Sequence, residues 1–235
     1  KIWTSRAEYS DLMLLLARTT PREEVKSKTE GLSIFLVDMR KVVGNGMTIK
    51  PIRTMMNHST TEVFFDDMRI PASSLIGEEG KGFRYILSGM NAERILIAAE
   101  GVGLGRVALK KATEYAKQRV VFDRPIGMNQ GIQHPLAANW MELEAANLMV
   151  FQAASMFDRG EPCGAQANAA KYLGGEAGFN ACQQAVMTHG GFGYAKEYHV
   201  ERYLREVMIT RIAPVSPQLI LCFIAERVLG LPKSY

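Results

Sequence analysis

The sequence predicts an α+β multidomain protein: a small antiparallel β domain, barrel or sandwich, over residues 1–80, followed by an α-helical bundle domain over residues 81–235. Two observations carry this reading. Up to about residue 80 the apolar residues come in short, β-rich runs separated by turn signals. From Gly82 onward they recur at helical spacing through long stretches, with Pro125, Pro135, Pro162 and Pro214 at or near the joints. Strands are expected at "DLMLLLAR" (11–18), "GLSIFLVDM" (31–39), "MTIKPI" (47–52) and "TEVFFDDMRIP" (61–71). Thr20-Pro21 and Gly44-Asn45-Gly46 are turns between them, and "REEVKSKTEG" (22–31) is a solvated loop. Helices are expected over about 82–119, with Gly89 as a point where that helix can break, and over 133–159, 163–188, 198–206 and 216–229.

Composition narrows the function classes. With 47% hydrophobic and 22% charged residues, the chain has the make-up of a soluble globular protein and no repeat or low-complexity segment. A net charge of +4 with interspersed acids and bases gives no nucleic-acid footprint, though it tolerates an anionic ligand. Cys163, Cys182 and Cys222 are isolated in apolar stretches and read as buried free thiols of a reducing compartment, not a secreted one. The four histidines lack ligand spacing, so no metal site is expected. The longest apolar run, around Leu219 to Ala225, is too short to span a bilayer, so no membrane span is expected. The chain opens at Lys1 with no initiator Met and reads as a piece of a longer protein.

The stretch "MNAERILIAAEGVGLGR" (90–106) holds the first chemical candidate. At about 100° per residue, Ile95, Ala99, Val102 and Leu109 form one apolar stripe, and Met90, Ile97, Leu104 and Ala108 a second one nearly opposite. A helix apolar on two sides belongs inside a bundle. Glu93 falls close to the second stripe, while Arg94 points about 100° away, so the two need not pair. Glu93 is then either a functional carboxylate or a charge at the rim of the bundle. Glu100 and Lys111 near the same azimuth favour the rim. Gly101, Gly103 and Gly105 lack the preceding strand and tight turn of a dinucleotide fingerprint, and read as positions of close helix–helix approach.

Five stretches in a fixed order add a resemblance. "KIWTS", "FFDDMRIPASSLIGEEGKGF", "AERILIAAEGVGLGRVALKKATEYAKQRVVFDRPIGMNQGIQ", "THGGFGY" and "RYLREVMITRI" together resemble the acyl-CoA dehydrogenases. The likeness covers the family's middle β domain and its C-terminal four-helix bundle, and leaves its N-terminal helical domain outside this chain. It implies an FAD-dependent enzyme that desaturates an acyl-CoA thioester between the α and β carbons. In that chemistry a Glu removes the α-proton and the β-hydrogen leaves as hydride to flavin N5. The α C–H is a very weak acid, so the base needs a raised pKa and the thioester oxygen needs hydrogen-bond donors. Glu in a water-poor site meets the first need.

The family keeps this Glu in one of two places. One is a loop entering the last helix; aligning Arg205-Glu206-Val207 on the preceding turn puts Pro214 there, in a loop, "IAPVSPQ", that has no acid. The other is a helix position just before an Arg, which is Glu93, followed by Arg94. The resemblance therefore implies Glu93 as catalytic base and Arg94, with Asn91 beside it, on the substrate side. The alternative for Arg94 is a salt bridge of the bundle. Proline has no N–H, so where the family's loop amide helps hold the thioester oxygen, either the register shifts by a residue or a neighbouring group substitutes.

The same resemblance implies the cofactor site. Trp3, Thr4 and Ser5 match the strand beside the flavin ring, the indole covering one face and the Ser5 hydroxyl donating to N5. Arg119 and Phe122 match an Arg-x-x-Phe element whose Arg serves the pyrophosphate, with Asp123 where Gly is usual. Gln130 matches a Gln opening the next helix, and Gly190 and Gly191 allow close backbone approach to the pyrophosphate. Met187 stands on the cofactor side where Gln is common, so one polar contact is absent. Ser216 and Gln218 match a Thr-x-Gln pair near the adenosine. In the family the Arg, Gln and Gly-Gly elements reach a neighbouring subunit's flavin, which implies a homodimer or tetramer. The implied partners are an acyl-CoA and an electron-transferring flavoprotein or similar acceptor, in bacterial cytoplasm or mitochondrial matrix. Two alternatives stay open: an acyl-CoA oxidase or other flavin-dependent relative, and a non-catalytic binding protein derived from the family.

Overall fold

The computed structural model describes residues 1–56 and 58–234. The chain forms two compact units, Lys1–Met90 and Asn91–Tyr235. In the first, the described residues form six strands in order: β1 (Thr4–Ser5), β2 (Leu12–Arg18), β3 (Leu32–Asp38), β4 (Met47–Ile52), β5 (Thr60–Phe65) and β6 (Leu75–Ile76), with a helical turn α1 (Met39–Val42) after β3. They pair antiparallel as two three-stranded sheets, β1-β5-β4 and β2-β3-β6. Leu15 and Val37 of one sheet share a core with Met47 and Val63 of the other, the face-to-face packing of a small sandwich.

Two strands stop earlier than their apolar runs suggest. Asp38 ends β3 because its carboxylate accepts the Arg40 backbone N–H (3.2 Å) and caps α1. In "TEVFFDDMRIP" the strand ends at Phe65, and Asp67 at φ 46° turns the chain. The Gly44-Asn45-Gly46 turn requires its last glycine: at φ 86° a Cβ on Gly46 would stand 2.6 Å from the Met68 Cα.

The second unit is helical. Helix α2 (Gly82–Gln118), which begins within the first unit, runs unbroken through Gly89 for 37 residues. A two-residue hairpin, β7 (Val120–Val121) with β8 (Arg124–Pro125), leads to α3 (Gln130–Asp158), α4 (Gly164–His189), α5 (Val200–Ile212) and α6 (Pro217–Phe223), the last continuing into a π-helical turn, Ile224–Val228. Four long helices thus form the bundle, and α5 runs six residues beyond the expected 206. On α2 the buried hydrophobic residues are Ile95, Ala98, Val102, Ala108, Leu109, Ala112 and Ala116. They divide between two cores: Ile95, Ala98, Val102 and Leu109 enter one, and Ala108 and Ala112, with Leu104 beside them, enter the other. Of the two expected stripes, Ala99 is the exposed exception in the first, and Met90 and Ile97 of the second are only partly buried.

Helix α4 is rich in Ala and Gly because its neighbours touch its backbone. A Cβ on Gly174 would meet the Ala98 carbonyl oxygen at 2.7 Å, and one on Gly175 the Thr210 carbonyl oxygen at 2.8 Å. One on Gly178 would overlap the Gly101 carbonyl oxygen. Gly101 and Gly105 are therefore packing positions, as read from the sequence. Gly103 is not: nothing lies within 4 Å of its missing Cβ. These contacts also fix direction. Ala98, Gly101 and Gly105 meet Gly174, Gly178 and Ala181 in rising order, so α2 and α4 run parallel. Thr210 and Arg211 of α5 meet Gly175 and Lys171 while Val200 and Val207 cluster with Cys182 and Ala185, so α5 runs the other way. The C-terminal end of α5 therefore lies at the same end of the bundle as the Asn91 end of α2.

All three cysteines are free. Burial pushes the Cys182 thiol up to about 12, whereas Cys222, expected buried, is partly exposed. The expectation that no apolar run reaches span length is also corrected. Val200–Val228 contains an 18-residue window of mean hydropathy 1.7. Its backbone is divided, because α5 ends at Ile212, the Ala213–Pro214 peptide is cis, and α6 begins at Pro217.

Candidate functional site

The two ends of the helical unit hold different chemistry. At the first end, Glu93 sits on the exposed side of α2, one turn before Leu96, which is 69% exposed. Among the described residues its carboxylate makes no hydrogen bond or ion pair, so Arg94 does not pair with it. Arg94 is half-buried; its Nη1 donates to Asn91 Oδ1 at 3.2 Å, and its buried Nε has no partner. Burial holds this guanidinium below its usual pKa, with the Glu93 charge opposing. A half-desolvated cation with an unused donor, next to an unpaired carboxylate, is suited to an anionic or strongly polar ligand.

The segment 213–216 closes the same end. Ala213 N–H donates to the Ile209 carbonyl at 2.8 Å, and Pro214 offers no donor. Ser216 caps α6, its hydroxyl oxygen accepting the Leu219 N–H at 3.4 Å. Gln218 is exposed on the first turn of α6.

At the other end lies a cleft of about 610 Å³ between the C-terminal ends of α2 and α4. It gathers Arg119, Met187, Gly190 and Gly191 of the expected cofactor residues. Gly190 ends α4 at φ 57°, ψ −131°, a conformation only glycine adopts without strain. No atom lies within 4 Å of a Cβ on Gly190 or Gly191, so side chains there would fill the cleft. The Arg119 guanidinium lies 5.8 Å from the centre of the Phe192 ring, which helps to orient it. The wall residues that escaped the sequence reading include the aromatic Tyr115, His189 and Phe192. His189 is buried and stacks on Tyr115 at 4.2 Å. Its Nδ1 lies 2.7 Å from the Ala185 carbonyl oxygen, which can only accept, so Nδ1 carries the proton. Burial holds its pKa down, against the Ala185 bond, with the Lys111 charge also lowering it. The only hint in the sequence was a histidine directly before the glycine pair.

Phe122 and Gln130 do not line the cleft. Phe122 is 93% exposed at the tip of the β7–β8 hairpin. Phe122 and Asp123, at φ 52° and 63°, form its two-residue turn. Both positions are left-handed, which explains why a glycine suits the second and why Asp, which tolerates this region, can replace it. Gln130 is the exposed first residue of α3. Trp3, Thr4 and Ser5 belong to the first unit: Trp3 is 65% exposed at φ 64°, and β1 pairs Thr4 with Thr61 and Ser5 with Thr60.

The family model of the acyl-CoA dehydrogenase C-terminal domain matches residues 80–229. The chain belongs to the acyl-CoA dehydrogenase family. An acyl-CoA dehydrogenase of Mycobacterium bovis is 38% identical over 100% of this chain. Glutaryl-coenzyme A dehydrogenase in complex with glutaryl-CoA superposes with a TM-score of 0.91 at 30% identity over 100% of the chain. PigA in complex with FAD gives 0.89 at 28% identity over 98%. The chain spans 60% of the length of the first of these relatives and 58% and 59% of the two solved chains.

Proposed function

We propose that the protein of which this chain is part is an FAD-dependent acyl-CoA dehydrogenase, with Glu93 as the base. Residues 1–80 then belong to the family's middle β domain and 81–235 to its C-terminal helical domain, a division supported by the family match beginning at residue 80. The observation that supports the proposal most is the shared end of the bundle: Glu93 and the acid-free segment 213–216, the two places where the family keeps its base, are both toward that end. FAD complements the residues at hand. In the cleft, Arg119 supplies a cation for a pyrophosphate and Gly190 and Gly191 leave the room a side chain would fill. Trp3, Thr4 and Ser5 offer an exposed indole and hydroxyl for the ring, and Ser216 and Gln218 polar groups for the adenosine. Bound flavin supplies the hydride acceptor.

Glu93 takes the α-proton. Its carboxylate is exposed and unpaired in this chain, so the water exclusion that raises a base's pKa comes from the acyl chain, the cofactor and the length this chain does not span. Arg94, steadied by Asn91, orients the substrate. Since Pro214 cannot donate, a group next to it holds the thioester oxygen.

Glu93 lies about 38 Å along α2 from Gln118, the neighbour of Arg119, at about 1.5 Å per residue. One dinucleotide cannot reach both, so the cleft serves the flavin of a second copy and the protein is a homodimer or tetramer. An apolar face on α3, with Trp140 58%, Leu148 72% and Phe151 66% exposed, supports association. Electrons pass to an electron-transferring flavoprotein or similar acceptor.

The test is anaerobic mixing of the full-length, FAD-loaded protein with acyl-CoAs of different length and branching. Bleaching of the flavin followed by slow reoxidation in air is expected. Rapid peroxide formation marks an oxidase, and no bleaching with any thioester leaves a binding protein.

A further inference from the structure

Lys171 is the largest fully buried side chain among the described residues, 1% exposed, and it takes no part in the chemistry above. We infer that Lys171 is a positioning residue of the reacting end, clamping the C-terminus of α5 to α4 and so fixing the segment Ala213–Ser216 relative to Glu93. The inference rests on the proposed reading of that end as the substrate side.

The geometry is specific. The last carbonyls of a helix lack intrahelical partners and carry its negative end. Lys171 Nζ donates to one of them, the Arg211 carbonyl, at 2.9 Å. A second strap holds the same residue: Arg211 Nε donates to Glu176 Oε1 at 2.8 Å, with its guanidinium 4.5 Å from the Phe179 ring centre. Gly175 lets the Thr210 carbonyl lie against α4 between the two straps. Two residues after Arg211 the chain enters the segment that Ser216 closes at its far side. An ammonium is an expensive way to fill a core, since a methionine packs there without desolvation. Burial pulls the Lys171 pKa down to about 8, against the pull of Glu176 and with the push of Arg211. What the charged group adds over an apolar one is direction: it holds one carbonyl at one place.

The experiment compares wild type and Lys171→Met in the full-length holoprotein. Lys171→Met is expected to keep its FAD and its acyl-CoA affinity while flavin reduction slows at least about tenfold. Without ligand, amide exchange over 213–219 is expected to accelerate at least about tenfold, with α3 unchanged. Glu176→Gln, which cuts the second strap and leaves Lys171, is expected to accelerate exchange over the same segment and decides the matter if Lys171→Met does not fold. Wild-type reduction with unchanged reduction and exchange in the variants overturns the positioning role alone. Failure of the wild type to be reduced by any acyl-CoA overturns the functional reading and this inference with it. Uniform acceleration of exchange across the bundle overturns the inference in favour of a general stabilising role.

Discussion

Replacing Gly178 by alanine drives a methyl group into the backbone of α2, where the Gly101 carbonyl carbon would lie 2.7 Å and its Cα 3.1 Å from the new Cβ. Both neighbours are main chain and cannot rotate away, so the helices must separate. Overpacking of this kind costs about 1–3 kcal/mol, and the upper part of that range applies where no side chain can yield. Alanine recovers about 1 kcal/mol of helix propensity over glycine. The net expectation for Gly178→Ala is a loss of about 2 kcal/mol. Gly103→Ala makes the same change where nothing lies within 4 Å, so it keeps the propensity gain and stabilises by about 1 kcal/mol. At about 2–4 °C per kcal/mol for a chain of this size, the two variants should melt roughly 6–12 °C apart. Thermal unfolding followed by far-UV circular dichroism, with urea midpoints as a check, measures the difference. Equal stability of the two variants would refute the claim that α2 and α4 meet backbone to backbone.

Other expectations concern the cleft proposed for the cofactor and the buried lysine. Arg119→Gln removes a charge-assisted contact worth about 1.5–3 kcal/mol, so FAD should bind about 10- to 100-fold more weakly in fluorescence titrations; unchanged affinity removes Arg119 from the site. Lys171 titrates near 8 in the folded protein and near 10.5 when unfolded. Between these values the unfolded chain binds more protons, so this residue's contribution to stability rises with pH. Urea midpoints of wild type should therefore gain on those of Lys171→Met from about pH 8 to about 10.5, and a constant offset contradicts the assignment.

The architecture was legible because burial imposes a period. Short apolar runs with Gly and Pro between them became β2, β3, β4 and β5, and three- and four-residue spacing became α2 to α6. What stayed hidden depended on neighbours that no period encodes. Gly101 and Gly103 look alike in sequence, yet only the first faces another helix. On α2 Ala99 is exposed although it shares a stripe with the buried Ile95, Val102 and Leu109, because helical spacing shows which residues share a face, not whether a partner covers each of them. Lys171 sits in an Ala-rich stretch whose spacing does not single it out, and only the crossing of α5 gives it a carbonyl. At the site, Arg119, Met187, Gly190 and Gly191 were found together because the family resemblance carried them. Tyr115, His189 and Phe192 were missed because no spacing in the sequence shows which aromatic residues meet around a cleft.

The central claim is that Glu93 is the base, and Glu93→Gln in the full-length protein tests it most directly. The amide keeps the size of the side chain and cannot accept the proton. The account predicts a variant that retains FAD and acyl-CoA binding while flavin reduction, followed by anaerobic stopped-flow, slows by the about 10²–10⁴-fold typical of a positioned acid or base. Reduction at a near-normal rate would contradict it.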